Sequence, residues 1–282
     1  MNSTITQKNN KTISVLGCGW YGLELAKALI NQGYLVKGSS TTPEKLEMLS
    51  TYNIEPFLVN IQKDEEKFNP SFFKSDLLFV CIPPKRNAAE QADFYYKIER
   101  IINAVKENRV KQLVFISSTA VYGDTNAELT ELNTPQPETD SGKAMLKVES
   151  LLKNQNDFTS TIIRFGGLVG PKRHPGRFFA GKENIPNGKA PINLIHLDDC
   201  IGISLAILKN EAFGYTFNAC SPDHPSKQDF YTVATINAQL TPPLFIDELL
   251  NWKIVSSVHF PVLNYNYLVT NWIKWFEKDN PN

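Results

Sequence analysis

No stretch of this sequence approaches the roughly 18–20 consecutive apolar residues that a membrane-spanning helix needs. The opening segment, Met1 to Thr12, is polar and has no apolar signal core. An excess of one charge is missing too. Basic and acidic residues number 29 each, for a formal net charge of zero, so there is no electrostatic case for nucleic acid or an anionic membrane as partner. Cysteine is sparse. Cys18, Cys81, Cys200 and Cys220 lie far apart without C-x-x-C spacing, which fits reduced thiols in a cytosol better than a disulfide framework. The four histidines, His174, His196, His224 and His259, form no metal-ligand spacing, and no metal is expected. Internal repeats and low-complexity tracts are also absent. The rest is ordinary for a soluble globular protein, 42% hydrophobic and 21% charged. At 282 residues the chain is long enough for one large α/β domain and a smaller second lobe. The expectation is a soluble, cytoplasmic protein.

Against that background one run stands out, Ile13-Ser14-Val15-Leu16-Gly17-Cys18-Gly19-Trp20-Tyr21-Gly22. A short apolar strand leads into G-x-G-x-x-G and then into a helical pattern at Leu23, Leu25-Ala26 and Leu29-Ile30. The first glycine permits a tight turn, the second lets the backbone approach a pyrophosphate, and the third allows close helix–strand packing. The helix that follows offers its N–H groups and the positive end of its dipole to phosphates. Gly17 to Gly22 are therefore the expected dinucleotide loop, with Cys18, Trp20 and Tyr21 between the glycines.

Strand and helix patterns alternate through the first half, the signature of βαβ units and a parallel sheet. The strands expected are 13–17, 34–38, 55–60, 76–82, 111–117 and 160–165. Runs such as Leu77-Leu78-Phe79-Val80 and Leu113-Val114-Phe115-Ile116 are apolar throughout, as strands buried on both faces should be. Helices are expected at 87–108, from Ser141 to about Lys153, and from Asp199 to Leu208, with Asp198 and Asp199 as caps. Beyond Arg164 the texture changes, and Gly, Pro and basic residues crowd 166–191. This separates a parallel α/β body over 1–165 from a smaller, loop-rich lobe over 166–282, with a strand at 215–219 that can return to the sheet. The aromatic stretch from Tyr265 to Phe276 reads as a terminal helix docked on the body.

The choice of dinucleotide turns on the second strand. A protein that prefers NAD usually places an acidic residue about 20 positions past the first glycine, on the ribose 2′-OH. Here that region reads Val36-Lys37-Gly38-Ser39-Ser40-Thr41-Thr42-Pro43-Glu44-Lys45, with hydroxyls and lysines where the acid would be. Such a set suits a 2′-phosphate and puts NADP(H) ahead of NAD(H), with Glu44 the residue that argues for NAD(H). Ser39, Ser40, Thr41 and Lys45 are the expected contacts. The same hydroxyls can equally shape a turn and cap the next helix at Pro43.

The run Ser117-Ser118-Thr119-Ala120-Val121-Tyr122-Gly123-Asp124 resembles the end of the fifth strand in the extended short-chain dehydrogenase/reductase superfamily, the NAD(P)-dependent epimerase/dehydratases. Further matches follow in that family's order: Ile163-Arg164, Gly170-Pro171, Asn193 to Asp199, and Phe217-Asn218. The resemblance implies an α/β, Rossmann-type doubly wound parallel sheet that binds the cofactor over 1–165, with a smaller C-terminal substrate lobe over 166–282. It adds Ile82, Pro83 and Ser117 to the cofactor site, with Pro83-Pro84 forming the wall beside the adenosine ribose. Two departures stand out. Leu16 occupies the place of the family's first glycine, and the catalytic Tyr-x-x-x-Lys is incomplete. Counting from Val121, the segment is Lys143-Ala144-Met145-Leu146-Lys147, and no tyrosine lies between Tyr122 and Tyr215. The pattern is similar to the atypical members that keep the cofactor fold and lack the active-site tyrosine.

By that resemblance Ser118 holds the substrate oxygen, Lys147 binds the nicotinamide ribose, and Lys143 stands where the acid/base would be. Lys143 could move a proton only if its pKa fell from about 10.4 toward neutrality. Thr119-Ala120 replaces the acidic pair of the dehydratase branch, which disfavours sugar dehydration. The loop Gly170 to Phe178 carries Lys172, Arg173, His174 and Arg177, so Arg173 and Arg177, with His196, are the expected contacts to an anionic substrate. A solvated basic surface loop is the competing use of those residues. Two readings follow. One is an NADP(H)-dependent oxidoreductase or epimerase acting on a small hydroxyl- or carbonyl-bearing anion such as a nucleotide sugar. The other is a non-catalytic NADP(H)-binding sensor or interaction protein.

Overall fold

A computed structural model describes residues 11–84 and 88–278, the side chains of 88–92 excepted. The polar segment 1–10 and the expected helix start at 87 lie outside them. Seven strands build the main sheet: β1 (Thr12–Leu16), β2 (Leu35–Ser40), β3 (Glu55–Leu58), β4 (Leu77–Val80), β5 (Gln112–Ser118), β6 (Thr159–Phe165) and β7 (Thr216–Ala219). Their order across the sheet is β7-β6-β5-β4-β1-β2-β3. Parallel registers join β1 to β2, β1 to β4, β2 to β3, and β4 to β5. The chain thus builds outward from β1 to β3, then returns to the other side of β1 at β4. A doubly wound sheet opens a crevice at that reversal, outside the carboxyl ends of the strands.

The central strands are apolar because they are covered on both faces. Every residue of β4 is buried, as are the last four of β1. Helix α1 (Trp20–Asn31) buries Leu25, Ala26 and Leu29, the stripe that its periodicity predicts. Helices α2 (Glu44–Thr51), α3 (Ala88–Glu107), α4 (Asp140–Lys153) and α5 (Leu197–Lys209) follow. The expected strand 55–60 breaks after Leu58. Asn60–Ile61 instead pairs antiparallel with Glu66–Lys67.

Two compact units divide the chain. The first comprises residues 1–118, 139–163 and 207–216, and the second 119–138, 164–206 and 217–282. The core of the second gathers Val169, Ile192, Phe230, Ala234, Val269, Trp272 and Phe276. Two helices line that core, α6 (Lys227–Asn237) and α7 (Trp272–Glu277). No reading of the sequence anticipated α6, although its start is legible: Ser226 is the N-cap, its Oγ accepting from Asp229 N at 3.1 Å and donating to the Asp229 carboxylate at 2.6 Å.

The C-terminal segment corrects the expectation of one helix from Tyr265 to Phe276. Only Trp272–Glu277 is helical. Asp199 explains the difference. Fully buried, its carboxylate accepts from the Tyr265 hydroxyl (2.8 Å) and from Leu268 N (2.7 Å) and Val269 N (3.1 Å), removing those two backbone donors from any helix. Asp199 is therefore a tether for residues 265–269 and not the cap expected for α5. Among the described residues no helix is long and apolar enough to cross a membrane.

Candidate functional site

Beyond the carboxyl ends of β1, β2 and β4 the first unit encloses a cavity of about 290 Å³. Its floor is the glycine turn. Gly17 sits at φ +94°, where an L side chain is strained, and a Cβ there would also lie 2.7 Å from Ile82 Cγ2. A Cβ on Gly22 would collide with the Gly17 carbonyl oxygen, so the third glycine lets α1 seat directly on the turn. Gly19 differs: a Cβ there would meet nothing within 4 Å. The space beside it is free for a ligand, as close approach by a pyrophosphate requires. No side chain caps α1 at Gly19 and its first turn contains no acid, so nothing internal neutralises the positive end of the helix.

Gly17, Cys18, Gly19, Ser39, Ser40, Thr41, Lys45, Ile82 and Pro83 all line this cavity. Trp20, Tyr21 and Gly22 do not; Tyr21 is buried within α1 and Gly22 packs on the turn. The hydroxyls divide by role. The Ser39 side chain is buried and accepts from Gly17 N at 2.9 Å, which ties the turn to β2. Ser40 Oγ accepts from Thr42 N at 3.0 Å and shapes the bend before α2. Thr41 and Lys45 are exposed, and the Lys45 ammonium has no partner among the described residues. Glu44 is not a lining residue, and no carboxylate lines the cavity among the described residues. Lys37 is excluded from it. Its ammonium donates to the Ser71 (2.6 Å) and Lys74 (2.8 Å) carbonyls instead.

Thr42, the last of the four consecutive hydroxyls, lines the cavity too, and sequence reasoning missed Val59, Ile61, Lys97 and Ile101, which complete the lining. Val59, Ile61 and Ile101 add an apolar wall of the kind a planar base occupies. Cys18 is buried, with room for its sulfur left by Gly38, and burial pushes its thiol up to about 12, far from a thiolate at neutral pH. The residues present fit a dinucleotide: a bare turn at a helix N-terminus, an apolar wall and a free lysine.

Ser117 and Ser118 close β5. The Ser117 hydroxyl is buried and donates to the buried Glu149 carboxylate of α4 at 2.6 Å. That bond sets the rotation of α4, whose buried residues are Gly142, Met145, Val148, Glu149 and Leu152. Lys143 and Lys147 fall on the exposed side, and Lys143 pairs with Asp140 at 3.7 Å. Neither lysine lines the cavity. On the Glu149 side, the preceding i, i+4 positions are Ser141 and Met145, which offer neither a phenol nor an ammonium, and the exposed Lys153 follows in the last turn.

In the second unit the resemblance markers converge on one buried network. The Tyr122 hydroxyl donates to the Thr130 carbonyl at 2.9 Å and accepts from the buried Arg164 guanidinium at 2.5 Å. Asn218 Oδ1 lies 3.1 Å from the same hydroxyl. Burial raises the Tyr122 pKa against the opposing pull of Arg164, so this phenol is a fully bonded structural group. The second unit also holds a cavity of about 490 Å³. Arg177 and His196 line it together with Lys172 and His174, whereas Arg173 does not. Burial holds His196 below the usual imidazole value despite Asp198 and Asp199.

Comparison with known proteins yields consistent findings. The NAD(P)H-binding family model matches residues 17–194. Protein YeeZ of Escherichia coli K12 is 32% identical over 246 residues, covering 86% of this chain and 89% of that protein. Among solved structures, a short-chain dehydrogenase/reductase superfamily protein from Agrobacterium tumefaciens with bound NAD superposes with a TM-score of 0.76 at 17% identity, covering 95% of each chain. A UDP-glucuronic acid 4-epimerase from Bacillus cereus in complex with NAD gives 0.75 at 17% identity, covering 95% of this chain and 96% of the other. At such identities the two structures establish the fold.

Proposed function

This chain belongs to the NAD(P)H-binding family, and from that premise we propose an NADP(H)-dependent oxidoreductase or epimerase acting on a small hydroxyl- or carbonyl-bearing anion. The observation that carries the cofactor choice is the lining of the 290 Å³ cavity, with exposed Thr41 and Lys45 and no carboxylate among the described residues. The lysine suits a 2′-phosphate, and the hydroxyls donate where an acid would repel. When bound, the nicotinamide supplies hydride transfer. The chain's own part is to cradle the pyrophosphate on Gly19 and α1, to seat the base against Val59, Ile61 and Ile101, and to offer the Ser118 hydroxyl to the substrate oxygen. Arg177 and His196, which line the 490 Å³ cavity, are the proposed contacts to the anionic group, and Arg173, outside that lining, is not. A nucleotide sugar is the substrate class suggested by the Bacillus cereus epimerase.

Titration calorimetry tests the cofactor. NADPH is expected to bind more tightly than NADH, and Lys45→Ala to weaken NADPH by about tenfold while leaving NADH nearly unchanged. Tighter NADH binding overturns the choice, and binding of neither overturns the site.

One observation favours a second reading, a non-catalytic NADP(H)-binding sensor or interaction protein. Lys143 and Lys147, the two lysines of the incomplete Tyr-x-x-x-Lys segment, are both exposed, and neither belongs to the buried side of α4 that carries Glu149. A screen of nucleotide sugars and small hydroxy or keto acids for NADPH oxidation separates the two. Turnover that is lost in Ser118→Ala supports the enzyme, and NADPH binding without turnover of any of them supports the sensor.

A further inference from the structure

The 490 Å³ cavity of the second unit has its own chemistry. Part of its wall is apolar, formed by Leu268, Val269 and Trp275. Its cations are uncommitted: Lys172 and Arg177 are exposed, and neither side chain has a hydrogen bond or ion pair among the described residues. His196 adds a donor. Its Nδ1 accepts from Asp198 N at 3.2 Å, so the ring proton sits on Nε2, for which the described residues provide no acceptor. His174 differs, because Gly176 N donates to its Nδ1 at 3.2 Å and its Nε2 lies 3.1 Å from Asn237 Oδ1. The one carboxylate in the lining, Asp198, lies 3.5 Å from the His196 ring. Donors and positive charge therefore exceed acceptors in a concavity much larger than a bare phosphate would fill, with an indole on its wall.

We propose that this cavity binds a small organic anion, its planar or aliphatic body on Trp275, Leu268 and Val269 and its phosphate or carboxylate on Lys172 and Arg177. Arginine and lysine recognise both oxyanions, and a mostly apolar pocket with a few polar groups orients the body. The proposal deepens the anionic-substrate reading and rests on it, but it draws on no residue of the cofactor cavity. It also shifts the expected contacts within the basic loop, from Arg173 to Lys172.

Calorimetry on the full chain tests it with three probes of one size: phenyl phosphate, benzoate and phenol. Saturable binding of phenyl phosphate or benzoate, with phenol much weaker, is expected. Whichever anion binds tighter identifies the preferred oxyanion. Lys172→Ala and Arg177→Ala should each lower that affinity by about tenfold. NADPH, titrated into the same variants, should bind as it does to the unsubstituted chain, which establishes that they fold. Equal affinity for phenol, unchanged anion affinity in both variants, or no saturable binding of either anion overturns the proposal. Failure of NADPH to bind the unsubstituted chain overturns the cofactor reading instead, so the two failures are distinguishable.

Discussion

A glycine accepts a side chain where the added carbon has both space and an allowed backbone angle, and the glycines of the turn differ on both counts. Gly17→Ala combines φ +94° with a 2.7 Å approach to Ile82 and should cost about 2 kcal/mol or more in denaturant unfolding. Gly19 is at an ordinary φ of −86° and N-caps α1, a place serine fills well. Gly19→Ser should therefore leave stability within about 0.5 kcal/mol. Its side chain enters the space assigned to the pyrophosphate, so NADPH affinity should still fall by about tenfold or more. Equal losses of stability and affinity would make Gly19 a structural residue only. The three-glycine spacing was legible in the sequence. The separation of steric from ligand-facing roles was not, because it depends on which atoms lie across from each Cα.

A helix presents its side chains by rotation, and one buried bond sets the rotation of α4. Ser117 and Glu149 meet at 2.6 Å, both buried. Lys147 lies two residues before Glu149, about 200° around the helix. Glu149→Ala leaves the Ser117 hydroxyl without this acceptor and should cost about 1–3 kcal/mol. Lys147→Met on the exposed side should change stability by less than about 0.5 kcal/mol. A large loss of NADPH affinity in Lys147→Met, measured alongside, would restore the ribose role that the family resemblance assigns to this lysine. The helix itself was readable in the sequence from Ser141 to about Lys153, and the structure starts it at Asp140 behind a Thr139 cap. Its working face was not, since nothing local to the sequence reveals that Glu149 is the inward residue and that the lysines turn outward.

At the scale of the molecule, four phenols of the second unit carry a testable consequence. Tyr122, Tyr231, Tyr265 and Tyr267 all have raised pKa values from burial, Tyr231 to about 12 and Tyr265 and Tyr267 further. Asp199 adds to the rise at Tyr265. A phenol that holds its proton more tightly folded than unfolded stabilises the fold fully below about pH 10, and that contribution fades as pH rises toward the folded value. Unfolding of the second unit should therefore begin above about pH 10, with phenolate absorbance and loss of near-ultraviolet circular dichroism rising together. Ionisation of these tyrosines well ahead of unfolding would contradict their burial.

What the sequence by itself determined is the alternation of strands and helices, the dinucleotide turn and the composition of the β2 end, because periodicity, glycine spacing and neighbouring hydroxyls are local properties of the chain. Tertiary structure alone decided which of those residues act together. It drew Lys37 away to two carbonyls and left Lys45 free. It rotated Lys143 and Lys147 outward, turned Asp199 from a helix cap into a tether for residues 265–269, and gathered Lys172, Arg177 and His196 around one cavity. Each of these outcomes depends on a partner distant in sequence. Hydrogen bonds and burial select that partner only once the chain is folded.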